Sequence, residues 1–259
     1  GRRQEESLAR GRLRGRGIGS FLEVTGAPSK EMAGIRFEAD GTVTIVTGTL
    51  DYGQGHLTPL AQVMLGKLGV PIDRVRLVQG DSDRLIAGGG TGGSRSIMMS
   101  GAAVLAASDK VIERGKAIAA HALEAAQADI EIANGRFAIA GTDRSIGLLE
   151  LAQRLRAGLK LPPDAPQSLD AELVIDGTPS AFPNGCHVCE VEVDPETGKV
   201  DVVRYASTND FGNLVNPMLV AGQVHGGVVQ GIGQALMERT CYGEDGQLLT
   251  GSFMAYALP

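Results

Sequence analysis

Three short segments carry the residue types that hold a polar ligand. Tyr52-Gly53-Gln54-Gly55-His56-Leu57-Thr58 sits between an alternating apolar run and a helical pattern. Thr91-Gly92-Gly93-Ser94-Arg95-Ser96 again precedes a helical pattern, and Gly222-Gln223-Val224-His225-Gly226-Gly227 lies at or near a helix start. Glycine lets the backbone approach a ligand closely. The first-turn N–H groups of a helix, which the helix itself leaves unpaired, are ready anion donors. Gln54 and Gln223 supply both donor and acceptor, Thr58, Ser94 and Ser96 supply hydroxyls, and Arg95 a fork of donors. Three such loops would hold a phosphate-bearing ligand from several sides. One glycine-rich turn before a helix is more often only a tight connection, and one histidine like His56 a hydrogen-bonded packing residue. Residue type and spacing therefore reach as far as a polar, nucleotide-like ligand and stop there.

Other chemistries find less support. No G-x-x-x-x-G-K-[ST] run is present, and Gly15-Arg16-Gly17-Ile18-Gly19 lacks both the final glycine spacing and the preceding strand of a dinucleotide fingerprint. Neither G-x-S-x-G nor H-E-x-x-H occurs, and the histidines at 56, 121, 187 and 225 assemble no Ser/His/Asp set. Cys186 and Cys189 form a C-x-x-C, which is half of a zinc or redox site. The stretch alternates like a strand, however, so residues three apart point to opposite faces, and no second cysteine pair completes a tetrahedron. No metal ligand is therefore assigned, and the lone Cys241 is read as a small apolar filler. Asp51, Asp81, Asp83 and Asp210 stand in polar loops and are read as turn or capping acids ahead of general bases.

The elements that must position these loops follow from periodicity. Residues 35–47 alternate on either side of Asp40-Gly41, as a hairpin does, and Pro59–Leu68 has helical spacing. Val75–Val78 is a short strand, and an Ala-rich helix is predicted from about Ile97 to Gln127. A second hairpin turns at Asn134-Gly135, followed by a helix over 147–156 with Ser145 as its N-cap. A third hairpin turns at Pro195–Gly198, and a last helix runs from about Val220 to Arg239. This order predicts an α+β fold, with helices packed on largely antiparallel mixed sheets; a doubly wound parallel sheet is the weaker alternative. Residues 1–16 hold six arginines and two glutamates and are read as a solvated, helical lead-in. Residues 17–259 are then a binding region of two α+β subdomains with a loop near 158–180.

The chain's 259 residues suit one large domain or two smaller ones. A formal net charge of −6 argues against a nucleic-acid partner, and the absence of Trp argues against stacking platforms. Glycine, at 37 residues, is about twice its usual share of ~7%, which fits a chain rich in close backbone approaches. No apolar run approaches the roughly 18 residues of a membrane span, and no signal-peptide core opens the chain, so a cytoplasmic location is expected.

Taken in order, GQGHLTPLAQV, GGTGGSRSIMMSGAAV, EVEVDPETGKVDVVRYASTNDFGNLVNP and GQVHGGVVQGIGQALMER resemble the molybdenum-binding, carboxy-terminal part of the xanthine dehydrogenase/aldehyde oxidase large subunit. The likeness is closest to bacterial large chains of the carbon monoxide, nicotinate and isoquinoline dehydrogenase type, and covers about residues 17–259. It implies a molybdopterin cofactor, as the cytosine dinucleotide, and hydroxylation of an aldehyde, N-heterocycle or CO-like substrate with oxygen from water. It also implies FAD and 2Fe-2S clusters on partner subunits or domains. Carried over by position, Gln54, Gly55, His56 and Thr58 contact the pterin and its phosphates. Gly92, Gly93, Ser94, Arg95 and Ser96 give donors near the metal and cofactor, and Gln223 bonds the cofactor near the metal. The resemblance further implies that the pterin dithiolene, rather than the protein, ligates molybdenum, as in most members. The family's general-base glutamate is expected beyond Pro259 and an F-R-G-F-G-like cofactor loop upstream of Gly1, so no catalytic residue is assigned here and the chain alone is expected to be inactive. The alternative is a non-catalytic module that binds molybdopterin or docks subunits.

Overall fold

Strand and helix signals resolve, in the computed structural model, into two compact units that share one chain. Residues 1–26 and 29–259 are described. One unit comprises Gly1–Val24 with Phe182–Pro259, the other the continuous segment Thr25–Ala181.

The arginine-rich start forms helix α1 (Arg2–Ala9) and then strand β1 (Leu13–Leu22). The helical expectation for residues 1–16 thus fits its first part only, because Leu13–Arg16 already pair with a later strand. That strand is β9 (Asn184–Val193), which also pairs antiparallel with β10 (Val200–Asp210) to give the sheet order β1-β9-β10. Arg14 lies between Glu190 and Glu192, at 2.5 and 3.1 Å, while Arg3 of α1 and Arg10, which caps that helix, reach the same two carboxylates. Helix α5 (Pro217–Leu236) begins earlier than its apolar periodicity suggested. Asn216 caps it, its Oδ1 accepting from the Leu219 N–H at 3.0 Å, and Pro217 takes the first helical position, where no N–H is needed.

The continuous unit is built on the sheet β4-β3-β2-β8, made of β2 (Lys30–Phe37), β3 (Val43–Thr47), β4 (Val75–Val78) and β8 (Ala171–Asp176). All its pairings are antiparallel except β3 with β4, which run parallel. Helix α2 (Leu57–Leu68) connects that parallel pair and buries Leu60, Ala61, Met64 and Leu68, the stripe its spacing predicts. These meet Ile35, Val43 and Ile45 from the sheet and Ala103, Val104, Ala107 and Val111 from helix α3 (Ser96–Leu123) in one core. Each large aliphatic buried there is worth about 1.5–3 kcal/mol. Helix α3 ends short of Gln127 because Glu124 turns to φ +52 and its N–H caps back onto Ala120 and His121.

A small sheet, β5 (Ile130–Ala133), β6 (Arg136–Ile139) and β7 (Ser145–Gly147), lies beyond, before helix α4 (Leu148–Arg156). The Asn134-Gly135 turn has positive φ at both residues, +49° and +72°, as a tight hairpin requires. Ser145 is not the N-cap of α4. It pairs in β7 opposite Ala138 and its hydroxyl accepts from Arg136, leaving Gly147 to cap the helix. The ends of this unit are tied together: the Thr25 N–H donates to the Ala181 carbonyl and the Ala181 N–H to Thr25 Oγ1, each at 2.9 Å.

Candidate functional site

Parallel pairing of β3 and β4 sends two loops out from the same edge of the sheet, each leading into a helix. Carboxyl ends of adjacent parallel strands are where open sheets collect ligands, because the chain must part there to reach its helices. The loop after β3 runs to α2 and holds Gln54, Gly55, His56 and Thr58. The loop after β4 runs to α3 and holds Gly92, Gly93, Ser94, Arg95 and Ser96.

In the first loop Asp51 organises the backbone. Its carboxylate accepts from the N–H groups of Gly53 (2.8 Å), Gly55 (3.2 Å) and His56 (2.8 Å). Partial burial works against its charge, but these three donors prevail and hold its pKa below the ordinary carboxylate value. Asp51 thus takes up three N–H groups of the loop ahead of the helix. What remains is the first turn of α2, Leu57 and Thr58, ahead of the first helical bond from Leu60 N–H to the His56 carbonyl. Gln54 turns its Oε1 back onto the Tyr52 N–H at 2.6 Å, which leaves it a donor toward a ligand.

His56 is 8% exposed and its Nδ1 lies 3.2 Å from Gln79 Nε2; the same amide nitrogen donates to Thr49 Oγ1 at 2.6 Å. Burial lowers the pKa of His56, with Asp51 pulling the other way. A neutral ring accepting at Nδ1 carries its proton on Nε2.

The second loop is tied to the first by its backbone. Gly90 N–H donates to the Gly48 carbonyl at 3.2 Å, and Leu50 N–H donates to Thr91 Oγ1 at 3.2 Å. Ser96 Oγ lies 3.2 Å from the same Thr91 oxygen, and Arg95 Nη2 donates to the Gly89 carbonyl at 3.0 Å. Gly93 and Ser94 both take positive φ, +61° and +56°, and a Cβ on Gly93 would come within 2.8 Å of the Gly26 Cα. At Gly53, Gly90 and Gly92 an added Cβ would meet nothing within 4 Å, so these backbones face open space.

Nine of the ten residues singled out from sequence therefore lie on two cross-linked loops of one unit. Gln223 does not join them there. It belongs to the other unit and sits inside α5, past the first turn, where its N–H is committed to the helix; the expectation of a helix-start anion loop at 222–227 is overturned because α5 starts at Pro217. Its side chain instead lines a cavity of about 630 Å³ between α5 and the sheet, with Phe21, His187, Cys189, Tyr205 and Phe211. His187 Nδ1 and the Tyr205 hydroxyl are 3.0 Å apart in that cavity. Cys186 and Cys189 are both free thiols on opposite faces of β9, and among the described residues no group of three or more His, Cys, Asp or Glu side chains is placed to hold a metal ion.

Sequence reasoning missed Glu31, Thr49 and Gln79. Gln79 and Thr49 bear on His56 only because β3 and β4 lie side by side, a pairing with no local signal. Glu31 had one: in the alternation of β2 it takes the inward parity of Ala33, Ile35 and Phe37, and it is 2% exposed.

The donor set suits a cofactor with phosphates and polar ring edges: amide, hydroxyl and guanidinium donors, first-turn N–H groups, and glycine backbone that keeps the approach clear. Fold and site together define a cofactor-holding domain. Comparison with known proteins specifies which cofactor. Residues 1–259 match the molybdopterin cofactor-binding domain. The chain is 35% identical to the nicotine 6-hydroxylase large subunit of Paenarthrobacter nicotinovorans, over 100% of its own length and 33% of that protein. It is 34% identical to the carbon monoxide dehydrogenase large chain of Afipia carboxidovorans, over 99% and 33%. Among solved structures, quinoline 2-oxidoreductase from Pseudomonas putida 86 superposes with a TM-score of 0.87 at 34% identity, covering all of this chain and 34% of that one. The carbon monoxide-reduced Cu,Mo-CO dehydrogenase gives 0.86 at 33% identity, over 100% and 34%. The chain thus belongs to the molybdopterin cofactor-binding domain family, and spans about a third of the length of the relatives it matches.

Proposed function

We propose that this chain is the cofactor-holding share of a molybdenum hydroxylase large subunit. The observation that carries the reading is the cross-linked loop pair at the carboxyl edge of β3 and β4, donor-rich and glycine-backed, in a chain of this family. Gln54 and Thr58 donate to the pterin and its phosphates beside Gly55. His56 sets the loop from beneath, with its Nε2 proton as the group it can offer. Gly92, Gly93, Ser94, Arg95 and Ser96 supply the second wall, and Gln223 is a cofactor contact on the strength of the family resemblance alone. The cofactor is the cytosine dinucleotide form, and when bound it supplies the two-electron redox chemistry that inserts a water-derived oxygen into an aldehyde, N-heterocycle or CO-like substrate. The protein's own contribution is preorganisation: donors already fixed by Asp51, Gln79 and Thr91 do not have to reorganise when the cofactor arrives. FAD and 2Fe-2S clusters sit on partner subunits or domains, and the assembly works in the cytoplasm.

The test is the molybdenum, pterin and cytosine-nucleotide content of the chain, purified alone and after co-expression with the segments that make up the rest of its relatives' length. All three appearing in the co-expressed sample supports the reading. Their absence from both samples overturns it in favour of a docking module.

A further inference from the structure

A carboxylate buried on an inner strand of the sheet needs a reason to be there. Glu31 is such a group. It is 2% exposed on β2; burial raises its pKa, and N–H and hydroxyl donors oppose that rise. Its Oε1 accepts from the N–H of Gly48 at 2.8 Å and of Met32 at 2.9 Å, and lies 3.4 Å from Thr47 Oγ1. The buried Ser100 hydroxyl of α3 borders it. An apolar residue here would join the core at no desolvation cost but would leave the Gly48 N–H buried without an acceptor, since the ladder between β2 and β3 ends at Ala33 and Thr47.

Gly48 is the point where the two candidate loops cross. An added Cβ there would lie 2.3 Å from the Ala87 carbonyl oxygen, 2.5 Å from the Gly88 Cα and 2.7 Å from Glu31 Oε1. The Gly48 peptide is thus gripped from three directions: its N–H by Glu31, its carbonyl by the Gly90 N–H, and its Cα by the backbone of Gly88. One loop leaves this crossing toward Gln54–Thr58 and the other toward Gly92–Ser96, and the Leu50–Thr91 bond closes the pair above it.

We propose that Glu31 is the positioning residue for both cofactor loops, acting through the Gly48 N–H and touching no ligand itself. The proposal rests on the cofactor reading above for its functional meaning, but the loop geometry it claims is testable without it. The experiment uses the full-length protein with Glu31→Ala, Glu31→Gln and Glu31→Leu, reading amide hydrogen exchange peptide by peptide alongside pterin content. Glu31→Ala and Glu31→Leu remove the acceptor, Leu while filling the volume; Gln keeps an oxygen in place. Exchange in the segments 48–55 and 88–94 is expected to rise about tenfold in the Ala and Leu variants, with β5–β7 unchanged and pterin content reduced, and Gln is expected to restore both. If the Ala variant fails to fold, the Leu and Gln pair carries the comparison. Loops that exchange as in the wild type in the Leu variant overturn the proposal, and so does a rise spread evenly over the whole unit, which would make Glu31 a residue of the general core. Wild-type protein that lacks pterin even when co-expressed with the segments that make up the rest of its relatives' length would overturn the cofactor reading instead, leaving the exchange data to decide Glu31.

Discussion

Asp51 determines how the first loop meets its ligand. By taking the N–H groups of Gly53, Gly55 and His56 it fixes the backbone on which Gln54 is mounted. Asp51→Ala is expected to cost about 1 kcal/mol, the usual worth of such a cap, and to lower cofactor retention; urea denaturation with pterin analysis checks both. Because the folded pKa of Asp51 is depressed, its contribution is complete above the unfolded value near 3.9 and is lost as pH falls through the folded one. His56 brings a second acid-sensitive step at higher pH. Its pKa is depressed below 6.5, so the unfolded chain binds the proton first, and stability is full above about 6.5 and declines as pH falls from there toward the folded value. Thermal midpoints between pH 8 and 5 should fall for the wild type and fall less for His56→Gln; equal slopes would exclude His56 as the source.

At the level of elements, glycine sets several close contacts that no larger residue permits. Phe137 of β6 packs its ring over Gly115 of α3, and a Cβ there would sit 2.2 Å from the ring. Gly115→Ala, favourable for an isolated helix, is therefore expected to destabilise the protein by about 1–3 kcal/mol through overpacking, measured by chemical denaturation. The hairpins at Asp40-Gly41 and Asn134-Gly135 and the stripe of α2 were legible because turn chemistry and periodicity act locally. Strand β1 was not: Gly15, Gly17 and Gly19 occupy one face and Arg14 and Arg16 the other, so the apolar half of the alternation is missing. Ser145 showed the same limit from the other side, since a cap-forming residue went to a strand once β6 offered it a partner. The loop residues of the candidate site stood out by type, whereas Glu31, Thr49 and Gln79 gain their roles only from contacts between strands.

Across the whole molecule the two units differ in how much they bury. The continuous unit holds the large core, while in α5 only Gly233 is buried, and Phe253 and Met254 are 91% and 99% exposed. The relatives are about three times as long as this chain. Among the described residues no helix is long and apolar enough to cross a membrane. Hydrogen exchange on the isolated chain should show β2, β3 and α3 protected most and α5 least; equal protection would mean that α5 is held by contacts it does not show here.

The clamp between Thr25 and Ala181 has a kinetic consequence. Strand β1 must find β9, which begins more than 150 residues later, and an unfolded chain closing so long a loop loses conformational freedom in proportion to the logarithm of its length. Once the intervening segment has folded, its tied ends deliver Leu22 and Asn184 to each other at their paired register, with Glu23 N–H already directed at the Pro183 carbonyl. Folding of the inserted segment then shortens the loop that β1 and β9 must close. Pulse-labelled refolding should show the amides of β2 and β3 protected before those of β1, and Thr25→Val, which removes the hydroxyl half of the clamp, should lengthen that interval.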